Sequence, residues 1–266
     1  MTRNWLFCRL PGQAWADQDT AVAPRLPAAV VKALEAIRTD SSGTPWFFRP
    51  SVPGGGGTEL WVGADDERLT RDVVAALLAE ADRTGSRMFH RYERRAPACC
   101  DDLAQASSEL ALAFAAAGGL SVPDRLALAV LHLSHVASLV PEADRSAFLF
   151  LCWQHWAGRI APDRRLDLGR QAAERGTELL IAASEAAMDG PTAEAWQRYL
   201  RALAAVGERA AGEGLPGNYV LFEQVHLTHQ RLGVPHEAEA LAALTVRNTP
   251  AGVPAATRPE PALQPA

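Results

Sequence analysis

Apolar positions in the first hundred residues recur in two periods. Strand-like runs occur at Trp5 to Leu10, Trp46 to Arg49, Glu59 to Val62 and Arg87 to Tyr92, and helical spacing marks Pro27 to Arg38 and Leu69 to Ala81. In chain order these elements read βαββαβ, the split-βαβ or ferredoxin-like pattern. Pro53 and the run Gly54 to Gly57 join the two central strands, a composition suited to a flexible hairpin loop. The four glycines do not read as a phosphate cradle, because no Lys-Ser or Lys-Thr follows them and the next element is a strand.

From Asp101 the period is helical almost to the end. Helices are expected at Asp101 to Ala117, Pro123 to Leu139, Pro141 to Ile160, Pro162 to Ala187, Pro191 to Ala211, Asn218 to Leu232 and His236 to Val246. Pro123, Pro141, Pro162 and Pro191 stand at openings, where a missing N–H is harmless. From Asn248 onward Pro, Ala and Thr dominate, with too little to bury, and this tail is expected to be disordered. The fold class is therefore α+β: a ferredoxin-like region over residues 1–98 packed on a helical bundle over 99–247, with a tail over 248–266. No internal repeat is visible.

Composition narrows the partners. The chain has 266 residues, 48% of them hydrophobic, enough for a substantial core. Its net charge of -5, with Lys32 the single lysine, argues against a nucleic-acid surface. Cys8, Cys99, Cys100 and Cys152 lack zinc-ligand spacing and any secretory context, which reads as a reduced, cytoplasmic protein. No stretch approaches the roughly 20 apolar residues of a membrane span, and the opening MTRNWLFCRL lacks a signal-peptide pattern.

The most informative segment is Asn218 to Val234, NYVLFEQVHLTHQRLGV. Asn218 is placed to cap the helix, after the break at Pro216 and Gly217, and Gly233 followed by Pro235 supplies the stop. At about 100° per residue, Tyr219, Glu223, His226 and Gln230 share one narrow arc between apolar borders. An acid, a phenol, an imidazole and an amide pointing one way suit a pocket wall better than a solvated face, although a partly exposed helix with satisfied polar groups gives the same pattern. His229 lies on the shoulder of that arc and Arg231 on another face.

Other polar residues have plainer readings. In DRSAFLFLCWQHWAGR, His155 sits among aromatics as a hydrogen-bonded structural histidine would, while Trp153 and Trp156 can either pack or stack on heteroaromatic rings. His132 and His135 are one turn apart with no third ligand at suitable spacing, so no metal is expected. HExxH, GxSxG and GxGxxG are absent, which removes support for zinc-hydrolase, serine-hydrolase and dinucleotide readings. His90 and Tyr92 alternate with Phe89 on the last strand.

Five segments, NWLFCRL, TPWFFRP with its glycine loop, LTRDVVAALL, RMFHRYE and VHLTHQRLGV, stand in the order found in the elimination-domain branch of lantibiotic dehydratases and their relatives in thiopeptide biosynthesis, which this chain resembles. Members that eliminate glutamate carry arginines on the strand after the glycine loop and a catalytic glutamate in a Tyr-Glu-Pro-Glu run. Here the strand reads TELWVGA, and RYERRAPACC has Glu93 at the first acid and Arg95 at the second. Leu60 and Trp61 cannot replace a bidentate guanidinium clamp.

The chain is then more similar to the thiopeptide pyridine synthases, a resemblance that implies a cofactor-independent formal [4+2] aza-cycloaddition between two dehydroalanines of a modified precursor peptide. Water and leader peptide would be lost, leaving a six-membered nitrogen heterocycle in a macrocycle. Tyr219 and His226 are the candidates for moving the proton of the reacting amide, with Glu223 fixing the imidazole tautomer or acting as base. Gln230, His229, Arg231, His155 and Trp153 are the candidates for holding the peptide. The implied partner is a ribosomally made precursor peptide, with a homodimer left open and neither nucleic acid nor membrane involved. The site is expected in a cavity where the sheet meets the bundle. A split glutamate eliminase and an inert leader-binding scaffold remain as alternatives.

Overall fold

The computed structural model describes residues 3–11, 26–39, 44–50, 57–63, 71, 75, 79, 87–94, 98–186 and 188–249. Strands are β1 (Arg3–Pro11), β2 (Trp46–Pro50), β3 (Gly57–Gly63) and β4 (Arg87–Arg94). Helices are α1 (Ala28–Thr39), α2 (Ala98–Ala116), α3 (Val122–Leu139), α4 (Glu142–Ala157), α5 (Pro162–Ser184), α6 (Gly190–Gly212), α7 (Gly217–Leu232) and α8 (His236–Asn248). The chain is α+β and mostly helical. Of the second expected helix, Arg71, Ala75 and Ala79 are helical and exposed, and the rest lies outside the described residues, as does the tail from residue 250.

The chain forms two compact units, one of residues 1–121 with 188–235, the other of residues 122–187 with 236–266. Residues 98 and 99 mark where strands give way to helices, but they do not divide the compact units as expected. α2 and α7 pack on β2, and α6 packs on α2 and α7, so all three belong to the first unit.

In that unit the sheet order is β2-β3-β1-β4 with every neighbour antiparallel. Period two puts Leu6, Cys8, Leu10, Phe48, Leu60 and Val62 on one face, and Trp5, Phe7, Phe47, Glu59 and Trp61 on the other; all are buried. The second set is an aromatic cluster, with Phe7 and Trp61 ring centres 4.5 Å apart and Trp5 edge-on to Phe47 at 5.2 Å. Gly63 is needed where it stands: its N–H donates to the Pro45 carbonyl at 2.8 Å, and a Cβ there would meet Pro45 Cδ at 2.9 Å.

β2 is an edge strand, and its outer edge is closed by side chains. The Phe48 N–H donates to Ser108 Oγ at 3.1 Å, and the Phe48 carbonyl accepts from Arg231 Nε at 2.6 Å. Arg231, 1% exposed, also donates from Nη1 to Ser107 Oγ at 3.1 Å. Ser107 Oγ donates to Thr228 Oγ1 at 2.9 Å, and Tyr199 Oη lies 3.2 Å from the same hydroxyl. Helices α2, α6 and α7 thereby share one buried polar network against β2. Pro50 has the same parity as Phe48, so its missing N–H falls on this outer edge, where β3 does not need it.

In the second unit α8 is the centre, packed by α3, α4 and α5. Seven consecutive residues, Glu239 to Thr245, are buried, which fits a helix surrounded on all sides rather than one with a single apolar stripe. Ala240, Ala242 and Ala243 leave room for three neighbours. Arg164 clasps Glu237 with Nε and Nη2 at 2.8–3.0 Å, fastening the start of α5 to the start of α8.

Two measurements test this packing. Arg231→Ala leaves the Phe48 carbonyl and Ser107 hydroxyl without their donor and opens a cavity, so its urea-unfolding free energy should fall by about 3 kcal/mol, whereas Arg201→Ala, at an exposed position, should leave it near the parent value. Burial pushes the Cys8 thiol from 9.0 up to about 11, and burial together with the Glu239 charge pushes Cys152 to about 12. Both folded values are raised, so this contribution to stability is complete below pH 9 and is lost as pH climbs through 11 and 12. Ellman titration at pH 8 should leave Cys8, Cys100 and Cys152, all buried, unreacted until denaturant is added.

Candidate functional site

α7 begins without a side-chain cap. Pro216 is the cap residue and its carbonyl accepts from the N–H groups of Tyr219 and Val220, so Asn218, expected as the cap, is already inside the first turn. The end is as the sequence indicates. Gly233 is left-handed at φ 69°, its N–H donates to the Gln230 carbonyl, and the Val234 N–H donates to the His229 carbonyl at 2.9 Å. That pair of bonds is a Schellman motif, which a residue with a Cβ would strain.

Between these ends α7 carries two different faces. Val220, Gln224, Thr228 and Arg231 point inward, with Leu221, Val225 and His229 beside them. On the outer side Tyr219 is 60% exposed, Glu223 is exposed, and His226 and Gln230 are half-buried. The polar arc is therefore a surface that deepens toward the end of the helix. Along β2 the seam between sheet and helices, where a cavity was expected, is filled by Arg231, Ser107, Thr228 and Tyr199.

The polar arc is linked at its deep end. Gln230 Nε2 lies 2.9 Å from His226 Nε2. An amide nitrogen only donates, so His226 Nε2 is the acceptor and the ring carries its proton on Nδ1. Gln230 is thus the side chain set against Nε2 of the ring. Glu223 lies one turn and Tyr219 two turns before His226, on the same face.

The remaining expected residues are placed elsewhere. His229 and Arg231, expected as substrate contacts, are interior; Arg231 is spent on Phe48 and Ser107, because it points to the sheet rather than along the polar arc. His155 is exposed and Trp153 half-buried, both on α4 in the second unit. Trp153 packs against Phe150 with ring centres 5.7 Å apart. His132 is wholly buried, and burial lowers the pKa of His135. The side chains of His90, Tyr92, Glu93 and Arg94, and all of Arg95, lie outside the described residues.

Two arrangements were not visible as sites in the sequence. His236 Nδ1 is 3.0 Å from the buried Glu239 carboxylate at the opening of α8. Arg9 and Arg49 both reach the buried Glu59 on the sheet. The first had a signal in its three-residue helical spacing; the second depends on strand register.

Residues 5–249 match the family described as lantibiotic biosynthesis dehydratase C-term. The chain belongs to this family. Among solved structures this lantibiotic-dehydratase-like chain is similar to the tRNA-dependent lantibiotic dehydratase MibB from Microbispora sp. 107891, at 16% identity and a TM-score of 0.56. The match covers 91% of this chain and 27% of that one, and at such identity it is a likeness of fold. No curated protein matches the chain. Among the described residues no helix is long and apolar enough to cross a membrane.

The tautomer of His226 is directly measurable. Two-bond ¹H–¹⁵N spectra of the neutral ring should show Nδ1 protonated in the parent protein, and Gln230→Ala should release it to the Nε2–H form. An Nε2–H ring in the parent would contradict the arrangement.

Proposed function

We propose that this family member is a cofactor-independent pyridine synthase, which joins two dehydroalanines of a modified precursor peptide in a formal [4+2] aza-cycloaddition. What carries this reading is the strand after the glycine loop. Leu60, Trp61 and Val62 on β3 are interior residues of the sheet, so that strand supplies no guanidinium to hold a departing glutamate. The ferredoxin-like reading of the N-terminal region belongs to the same proposal, supported by the antiparallel order β2-β3-β1-β4.

The reaction requires a backbone amide in its iminol form and two alkenes held at reacting distance. Positioning supplies most of the acceleration, about 7–11 kcal/mol for well-oriented groups. On α7 the phenol of Tyr219 and the imidazole of His226 are the groups suited to carry the amide proton, with Gln230 holding the ring and Glu223 beside it as a base. Ring closure needs no oxidant, because loss of water and of the leader peptide as its amide makes the ring aromatic.

The family description favours a second reading, elimination of glutamate from glutamylated Ser or Thr. One experiment separates them. Incubated with a synthetic bis-dehydroalanine peptide, the protein should yield the cyclised product with water and leader lost, and Tyr219→Phe and His226→Ala should each slow this roughly 100-fold. Loss of glutamate from a glutamylated precursor, with no action on the dehydroalanine peptide, would establish the eliminase instead. Tight leader binding with no mass change in either substrate would mark a scaffold.

A further inference from the structure

α4 packs on α8 and on α3. Phe148, Leu149, Cys152, Trp156 and Ala157 are its buried residues. On the opposite side the helical period lines up Ala143, Ala147, Phe150, Leu151, Gln154 and, at the cap, Gly158, all of them exposed. Phe150 is 38% and Leu151 57% exposed. None of the residues on this stripe carries a charge, and between Arg145 and Arg159 the sequence has no Asp, Glu, Lys or Arg. A helix face turned to water is normally rich in those residues, as α5 is with its exposed Arg170, Glu174, Arg175 and Glu178. A lone exposed apolar side chain is ordinary, whereas two neighbours on an uncharged stripe mark an interaction surface.

The aromatic side chain on the stripe is already held. Arg247 Cζ, near the end of α8, stands 5.0 Å from the centre of the Phe150 ring, and the Trp153 ring centre lies 5.7 Å from it. Less side-chain freedom is then lost when a partner covers Phe150. Charge is confined to the two ends of the stripe. Asp144 in the first turn, and His155 and Arg159 at the far end, are exposed on the side of the stripe where Leu151 lies.

This distribution is its own complement. A two-fold axis at Phe150 sets two such helices antiparallel and keeps each side of the stripe facing its own counterpart. Ala147, three residues before the axis, then falls beside Gln154, four after it; Ala143, seven before, falls beside Gly158, eight after. Asp144, six before, falls beside His155, five after, with Arg159 one turn beyond. Small residues at Ala143, Ala147 and Gly158 let the helices approach, Phe150 and Leu151 cover their own copies at the centre, and an acid meets bases at both ends.

We propose that the outer face of α4 is a homodimer interface, on which a second copy of this chain lays its own α4 antiparallel. With 16 residues the helix is about 24 Å long. Such a pairing buries roughly 1,000 Å² in total, at the low end for specific association, so the dimer is reversible with a Kd of roughly 10–100 μM. An anionic membrane fits the face less well, because the chain's net charge of -5 opposes it. An unrelated peptide accounts for the uncharged stripe but not for the match of Asp144 to His155 across a two-fold axis. The proposal does not depend on the reaction the protein catalyses.

Sedimentation velocity on the full chain, over a range of roughly 1–300 μM, is the test. The weight-average mass should rise from one chain toward two. Leu151→Glu, at an exposed position, brings two carboxylates together beside the axis and should raise Kd at least tenfold. Asp144→Lys and His155→Glu should each raise it severalfold, and the double variant, which exchanges acid and base, should recover most of that loss, because the two residues meet only across the interface. A single chain throughout the range overturns the proposal. So does a Leu151→Glu dimer as tight as the parent, and a double variant no tighter than the weaker of the two single variants overturns the antiparallel register.

Discussion

The first unit depends on a guanidinium held away from water. An edge strand exposes unpaired N–H and C=O groups that invite other strands or must find partners, and β2 finds them in the side chains of neighbouring helices. Arg231 supplies the donor for Phe48, and Ser108 the acceptor. Because Arg231 also donates to Ser107, and Ser107 to Thr228, one buried charge aligns α7, α2 and β2 together. Removing a partner from such a network leaves polar atoms stranded in the interior, which costs far more than an exposed hydrogen bond contributes.

This constraint ties scaffold to chemistry within a single helix. α7 presents Arg231 and Thr228 to the interior, while His226 and Gln230 lie on its other side. The 3.6-residue period makes both uses compatible, since the inward and outward sets interleave without competing. Its rotation about its own axis is fixed by the inward set. Consequently the orientation of Tyr219, Glu223 and His226 is set by contacts that none of them makes.

Element identity was largely legible in the sequence. Proline at helix openings, glycine at Gly233 and the change of period near residue 98 mark the elements because each acts locally on the backbone. What is not legible is any feature that depends on two elements meeting. Asn218 looks like a cap, yet Pro216 begins the helix earlier and leaves Asn218 inside it. Arg231 reads as a polar residue available to a ligand, since nothing near it in sequence predicts that Phe48 and Ser107 converge on it. The Arg9–Glu59–Arg49 row appears only once three strands are in register, because a shift of one residue would send Glu59 to the opposite face. The compact units were hidden for the same reason, as helices 188–235 return to the sheet after an excursion through α3, α4 and α5.

The central position of α8 bears on the order of events during synthesis. α3, α4 and α5 leave the ribosome with apolar faces shaped around a helix that lies some fifty residues further along. Until His236 to Asn248 emerges, those three helices lack the segment their apolar faces pack against in the finished fold. The core of the second unit is therefore completed by the last described element of the chain, a single alanine-rich segment that contacts all three neighbours.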